Sequence, residues 1–197
     1  MNIEEWFPTL IYNDVIDISG LEEIAYKLKK ESDGRQLSNR GGWQSHGVEK
    51  NPLFSKLIDV IEQKALKVYN NMYEEDTGKY QVVGMWVNIN KPNSYNATHM
   101  HPTCDLSGNI YIKTPKNCGI TFFEDPRNLH RMAEPYNNIM QNRHTYRQVN
   151  YVPESGIILF FPPWIQHGVE QNLSDEDRIS IAFNMMYVRK GCTLVET

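Results

Sequence analysis

Between Tyr80 and Val188 the chain is a succession of short β-type runs, broken by turns rich in proline, glycine and asparagine, with no helical segment between consecutive runs. Residues 82–90 open the series. They place Trp86, Asn88 and Asn90 on one face and Val87 and Ile89 on the other, because strand side chains alternate with period two. Runs at 106–112, 119–123, 146–152, 157–161 and 179–188 follow, separated by turn-forming stretches at 91–96, 114–117, 153–156 and 172–177. A parallel sheet needs helical crossovers, which are lacking here. The pattern therefore predicts an antiparallel sandwich or small barrel.

The N-terminal part reads differently. Residues 6–12 are apolar between acidic neighbours and predict a first strand. Ser19, with Glu22 three residues on, has the form of a capping box ahead of Leu21, Ile24, Ala25 and Leu28 at helical spacing. Ser32-Asp33-Gly34 ends that helix, and residues 33–50 read as a loop around Gly41-Gly42-Trp43-Gln44-Ser45-His46. Pro52 suits the first turn of a second helix. Its stripe is Leu53, Leu57, Ile58, Ile61, Ala65, Val68, Tyr69 and Met72, and Gly78 closes it. Both helices are expected on the outside of a sheet, as support. Residues 126–146 are polar and irregular, longer than a mere connection, and form a candidate lid. The whole of 1–197 is expected as a single domain, with 1–79 supporting an 80–190 core.

Within the β region, His99 and His101 fall two residues apart. If residues 98–101 are extended, both imidazoles point the same way, an arrangement that suits a divalent transition metal. An isolated His-x-His is more often a surface pair beside a turn. Here a third histidine, His167, and then Arg178 follow in order, and that set points to a metal site. His46, His130 and His144 fall in loops, and of these only His46 is a candidate for substrate contact. Cys104 reads as a packing residue near His101.

Charge and cysteine content narrow the function classes. A net charge of −4 without a Lys/Arg block gives no support for nucleic-acid binding. No apolar run approaches the ~20 residues of a membrane span. The first residues lack the basic and apolar regions of a signal peptide. Three cysteines without a CxxC argue against a disulfide framework or a structural zinc site, so a cytoplasmic location is expected.

Several stretches together resemble the Fe(II)- and 2-oxoglutarate-dependent oxygenases, over roughly residues 80–190. They are His99-x-His101-Pro102, Leu106-Ser107-Gly108-x-x-Tyr111, Phe123-x-Asp125-Pro126, Pro153-x-x-Gly156, Phe160-Phe161-Pro162, His167-x-Val169 and Arg178-Ile179-Ser180-x-x-Phe183-Asn184. The resemblance is closest to a little-characterised subgroup common in marine bacteria and phages. It implies a mainly β fold with N-terminal helices around a double-stranded β-helix (a cupin-like jelly roll), an Fe(II) centre and 2-oxoglutarate as cosubstrate. The reaction implied is a dioxygenase-type hydroxylation of a small-molecule or peptide substrate. His167 would be the distal ligand and Arg178 would bind the far carboxylate of 2-oxoglutarate, where a planar fork suits the geometry. Ser180, on the same strand face, would assist, and Tyr111 and Asn109 would line the cosubstrate pocket. No catalytic residue is implied beyond the metal ligands.

One position departs from the family's pattern. Where the family has His-x-Asp or His-x-Glu, this chain has His101. Either three histidines hold the metal, or a carboxylate comes from elsewhere, Asp105 being the closest and Glu124 or Asp125 the alternatives. A cupin-like metalloenzyme without 2-oxoglutarate would not require Arg178, and a non-catalytic jelly-roll module would bind no iron. The edges of a sandwich also offer a surface for a homodimer.

Overall fold

The computed structural model describes residues 1–2, 4–73, 78–127 and 143–192. The elements run β1 (Tyr12–Val15), α1 (Leu21–Glu31), β2 (Asn39–Arg40), β3 (Trp43–Gln44), a 3₁₀ turn (Pro52–Phe54), α2 (Ser55–Met72), β4 (Gly78–Asn90) and β5 (Tyr95–His99). They continue with β6 (Leu106–Lys113), β7 (Thr121–Glu124), β8 (Gln148–Tyr151), β9 (Ile157–Phe161), β10 (His167–Val169) and β11 (Arg178–Arg189). The strands form two sheets, ordered β1-β9-β6-β11-β4-β3 and β2-β5-β10-β7-β8, with every pairing antiparallel. This is the antiparallel sandwich expected from the runs of short strands, in the jelly-roll form that the resemblance implies. The candidate lid lies largely outside the described residues, as does His130.

Alternation along the larger sheet separates support from chemistry. Val87, Ile89, Ile110, Ile112, Ile158, Phe160, Ile179, Ile181 and Phe183 join Leu57, Ile61, Ala65 and Val68 of α2 in one buried cluster. The odd and even residues of each strand face opposite ways, so the other face carries Trp86, Asn88, Asn109, Ser180 and Ala182 into a cavity between the sheets. Tyr111, Phe123, Leu159, Phe161 and Ile165 form a second, smaller cluster, of which Phe161 lines the cavity. The helices pack on the outside, as their apolar stripes require.

Local departures from the sequence reading have identifiable causes. The first strand begins at Tyr12, and Trp6 and Phe7 are exposed; Pro8 interrupts the run, and the pairing with β9 starts only at Tyr12. The capping box does not form: Gly20 occupies the cap position, and the Ser19 hydroxyl donates to Asp17 (2.6 Å). The loop at 33–50 contains β2 and β3, two-residue strands too short to show a period. Asn51 caps the 3₁₀ turn by accepting from the Leu53 N–H (3.0 Å), so Pro52 starts the second helical segment as expected. The ends of the α2 stripe, Leu53 and Met72, are exposed. Gly78 does not close α2 but opens β4, where a side chain would collide with the Val188 carbonyl and the Tyr187 ring.

Candidate metal centre

β10 lies between β5 and β7, so that His167 faces His99 across one ladder and Phe123 across the other. β5 ends at His99, and His101 lies just past it rather than on a continuing strand. A backbone bond from the His101 N–H to the Pro163 carbonyl (2.9 Å) docks it on the turn leading into β10. The imidazoles converge as the spacing predicted. Ring centroids are 5.1 Å apart for His99 and His101, 4.4 Å for His99 and His167, and 4.9 Å for His101 and His167. One ring nitrogen from each of the three lies within 4.8 Å of the others, the only such His/Cys/Asp/Glu group among the described residues.

Hydrogen bonds on the far side of each ring fix which nitrogen is free. His99 Nδ1 meets the Ala97 carbonyl at 2.8 Å, and His167 Nδ1 meets the Ile165 carbonyl at 3.0 Å. His101 Nδ1 meets Asn184 Oδ1 at 2.7 Å and the Ser107 hydroxyl at 2.9 Å. A carbonyl oxygen can only accept, so each Nδ1 carries the proton and each Nε2 presents a bare lone pair. His99 Nε2 and His101 Nε2 are then 3.2 Å apart with no proton between them. Such an arrangement is favourable when a cation sits among the three nitrogens, and the donor set suits a first-row divalent metal.

The surroundings keep the three imidazoles neutral. His101 and His167 are buried, and Phe161 and Phe123 pack against His167 with centroids at 4.7 and 5.7 Å. Burial, reinforced by the neighbouring histidines, pushes the His101 pKa down to about 4 and that of His167 down to about 3. Burial also lowers that of His99. Neutral imidazole is the form that binds metal.

Asp105 is placed elsewhere. Its Oδ2 accepts from the Tyr187 N–H (2.8 Å), and its own N–H donates to the Met185 carbonyl (2.9 Å), which ties it to the β11 backbone. Cys104 sits between His101 and Ser107, its Sγ 3.4 Å from the Ser107 hydroxyl. His46 and His144 are exposed, and neither lines the cavities at the three histidines.

The interior cavity beside the histidines is lined by Asn88, Asn109, Thr121 and Ser180. The Tyr111 hydroxyl donates to Thr121 Oγ1 (2.8 Å), and burial lifts its pKa to about 12, so it stays a neutral donor. Arg178 shares its strand face with Ser180 and is only 2% exposed. Its Nη1 donates to the carbonyls of Cys118 (2.6 Å) and Glu170 (3.3 Å). The nearby acids are engaged by lysines: Asp177 lies 3.8 Å from Lys29 and Glu176 3.2 Å from Lys113. Among the described residues no carboxylate pairs with Arg178. A buried guanidinium stays charged, and its remaining donors call for an anion.

Ser107 and Asn184, which both meet His101 Nδ1, stand without an expected role in the sequence stretches that carry the resemblance. Strand parity was the available signal for Asn184, since 178, 180, 182 and 184 share one face of β11.

Fold and site together define a jelly roll with three converging histidines that could hold a metal ion and a buried arginine that no carboxylate pairs with among the described residues. The family model described as "Putative 2OG-Fe(II) oxygenase" matches residues 84–184, just over half of the chain. The chain belongs to this family of 2-oxoglutarate- and Fe(II)-dependent oxygenases. No curated protein matches it in sequence. Among solved structures, a prolyl-4-hydroxylase from Pseudomonas putida is similar over 90% of this chain and 92% of its own, at 9% identity and a TM-score of 0.65. HygX from Streptomyces hygroscopicus, solved with nickel, 2-oxoglutarate and hygromycin B bound, is similar over 90% of this chain and 83% of its own (12% identity, TM-score 0.60). At such identities the likeness concerns the fold. No described helix is long and apolar enough to cross a membrane.

Proposed function

We propose that His99, His101 and His167 hold Fe(II) through Nε2, that Arg178 anchors 2-oxoglutarate, and that the protein hydroxylates a small-molecule or peptide substrate. The observation that carries this reading is the convergence of three bare Nε2 atoms, each held in that tautomer by an oxygen acceptor behind it. When bound, iron would bring O₂ together with 2-oxoglutarate: O₂ would be the oxidant, 2-oxoglutarate would give up two electrons and leave as succinate and CO₂ with one oxygen atom, and the substrate C–H would give up the other two and become C–OH with the second.

The chain's own residues do the rest. Three neutral imidazoles leave the metal's double charge uncompensated, so a dianion is the matching cosubstrate. Arg178 offers a fork for its far carboxylate, and the Ser180 hydroxyl on the same strand face donates alongside. Asn109 and Thr121 line the cavity, and the Tyr111 hydroxyl holds Thr121 in place from behind. Asp105 stays outside the ligand set because its carboxylate caps the β11 backbone. Arg178 also separates this reading from a cupin-like enzyme without 2-oxoglutarate, which has no use for a buried cation there. We further read residues 1–197 as one domain, since helices and larger sheet share a single buried cluster. Three unbridged cysteines support a cytoplasmic setting.

Cobalt or iron titration into wild type and His167→Ala tests the metal set, and 2-oxoglutarate titration into metal-loaded Arg178→Ala tests the anchor. Metal binding should be lost in His167→Ala. Loss of the charge-assisted contact should weaken 2-oxoglutarate by about 30- to 1000-fold. Equal metal affinities would remove the ligand assignment, and equal 2-oxoglutarate affinities would remove the role of Arg178.

A further inference from the structure

On the side of the histidines away from Arg178, a second cavity opens to solvent. Its wall is built by the loop that carries β2 and β3, and its lining includes Arg35, Arg40, Gln44, Trp86, His99 and His101. None of its lining residues is acidic, although acidic residues outnumber basic ones over the whole chain.

The wall is fixed in place. The Arg35 N–H donates to the Gln44 carbonyl (2.8 Å), forming a bridge to β3, which itself pairs with β4. Gly34, at φ +72°, lets this approach happen, because a side chain there would collide with the Gln44 carbonyl and the Trp43 ring. Asn39 is buried and braces the loop from within, donating to the carbonyls of Arg35 (3.2 Å) and Gly42 (3.1 Å).

Two buried polar groups on this wall have no hydrogen-bond partner among the described residues, and an exposed arginine stands beside them. The Arg35 guanidinium lies over the Trp86 ring, 5.9 Å from its centroid, and its buried Nε has no hydrogen-bond partner. Gln44 is 1% exposed, and its buried Oε1 is likewise unpartnered. Among the described residues the exposed Arg40 uses Nη1 alone, donating to the carbonyls of Leu37 (2.6 Å) and Asn39 (3.0 Å). No carboxylate pairs with either arginine among the described residues. Orphaned buried donors and acceptors are costly, and a ligand that satisfies them recovers that cost.

We propose that this groove is the primary-substrate site and that it selects a carboxylate carrying a neighbouring N–H, as in an amino acid or the C-terminal residue of a peptide. This rests on the reading of the three histidines as the iron site. Arg35 takes the carboxylate, with Arg40 as the outer contact, and Gln44 Oε1 accepts from the adjacent nitrogen. Stacking on Trp86 holds the Arg35 fork in the groove before the ligand arrives. The same indole lies 5.5 Å from the His101 ring, centroid to centroid, so one ring separates the anion subsite from the metal centre.

The test follows the Nε–H NMR signals of Arg35 and Arg178 in the full-length chain loaded with Zn(II), which does not turn over. 2-Oxoglutarate is added first and should move the Arg178 signal. Free amino acids, their N-acetyl derivatives and the corresponding primary amides are then titrated. At least one acid should move Arg35 saturably while its amide does not. Free and acetylated forms distinguish a lone amino acid from a chain terminus. Arg35→Gln should weaken that binding by about 10- to 100-fold and leave the Arg178 response unchanged. The acid–amide comparison uses wild-type protein, so it stands even if Arg35→Gln fails to fold. If no acid moves Arg35, or amides bind as tightly as acids, the substrate class is overturned. An unmoved Arg178 signal on adding 2-oxoglutarate would instead overturn the cosubstrate role and leave the Arg35 result to be judged on its own.

Discussion

At the scale of single residues, the site depends on atoms that would never touch a metal. Asn184 Oδ1 accepts from both His101 Nδ1 and the Ser107 hydroxyl (3.0 Å), so one carboxamide sets the tautomer and tilt of a proposed ligand. Asn184→Leu keeps the branched shape and removes the acceptor. Metal affinity should fall by about 10- to 100-fold with the fold retained, as calorimetric titration and circular dichroism would show. The depressed histidine pKa values have a second consequence, in the metal-free protein. In the unfolded chain a histidine titrates near 6.5, whereas burial and mutual proximity hold His101 down to about 4 and His167 to about 3. Below pH 6.5 the unfolded chain therefore takes up protons that the folded chain refuses. The stability present above that pH is lost as pH falls toward 4 for His101 and 3 for His167, at up to about 1.4 kcal/mol per pH unit for each. Urea unfolding of metal-free protein between pH 7 and 5.5 should show a falling midpoint, and His167→Phe should flatten the slope. A midpoint independent of pH in wild type would contradict the buried, neutral state.

At the scale of elements, the site is held by strands that approach closely, and β6 shows this best. Gly108 sits between β11 and β9, where a side chain would collide with the Phe183 ring and meet the Leu159 carbonyl at 2.5 Å. Gly108→Ala should cost about 1–3 kcal/mol through forced overpacking, read as a lower thermal midpoint. The β region was legible because a two-residue alternation survives in the sequence wherever one sheet face is apolar and the other polar. Val87 and Ile89 against Trp86, Asn88 and Asn90 is the example, and the structure keeps that split. Short or capped features were not legible. β2 and β3 have too few residues for a period, and the bridge from Arg35 to Gln44 that frames the groove is a pairing across a loop. The Ser19 box had the right spacing but lost its cap to Asp17, a competing acceptor two residues away. The histidine set was readable from order and spacing. The whereabouts of Asp105 was not, because it depends on a bond to Tyr187, far along the chain on β11.

At the scale of the molecule, the proposed ligands would join the two sheets. His99 and His167 belong to the smaller sheet, while His101 is held by Ser107 and Asn184 of the larger one. Arg178 and Ser180 also lie on the larger sheet, so metal and cosubstrate bound together would span the interior of the sandwich. A ligand that binds only the folded state stabilises it by about 2.7 kcal/mol at a hundredfold excess over its Kd. For a chain of 197 residues each kcal/mol corresponds to about 2–4 °C in Tm, so each ligand should raise Tm by about 5–10 °C. Thermal unfolding with Zn(II) alone, and with Zn(II) plus 2-oxoglutarate, would resolve two successive increments. Arg178→Ala should retain the first and lose most of the second. His167→Ala should lose both, because the cosubstrate depends on the metal for its other end. A full second increment in Arg178→Ala would mean that 2-oxoglutarate is anchored by some other cation. A first increment surviving in His167→Ala would mean that the metal stabilises the sandwich from a site other than the three histidines.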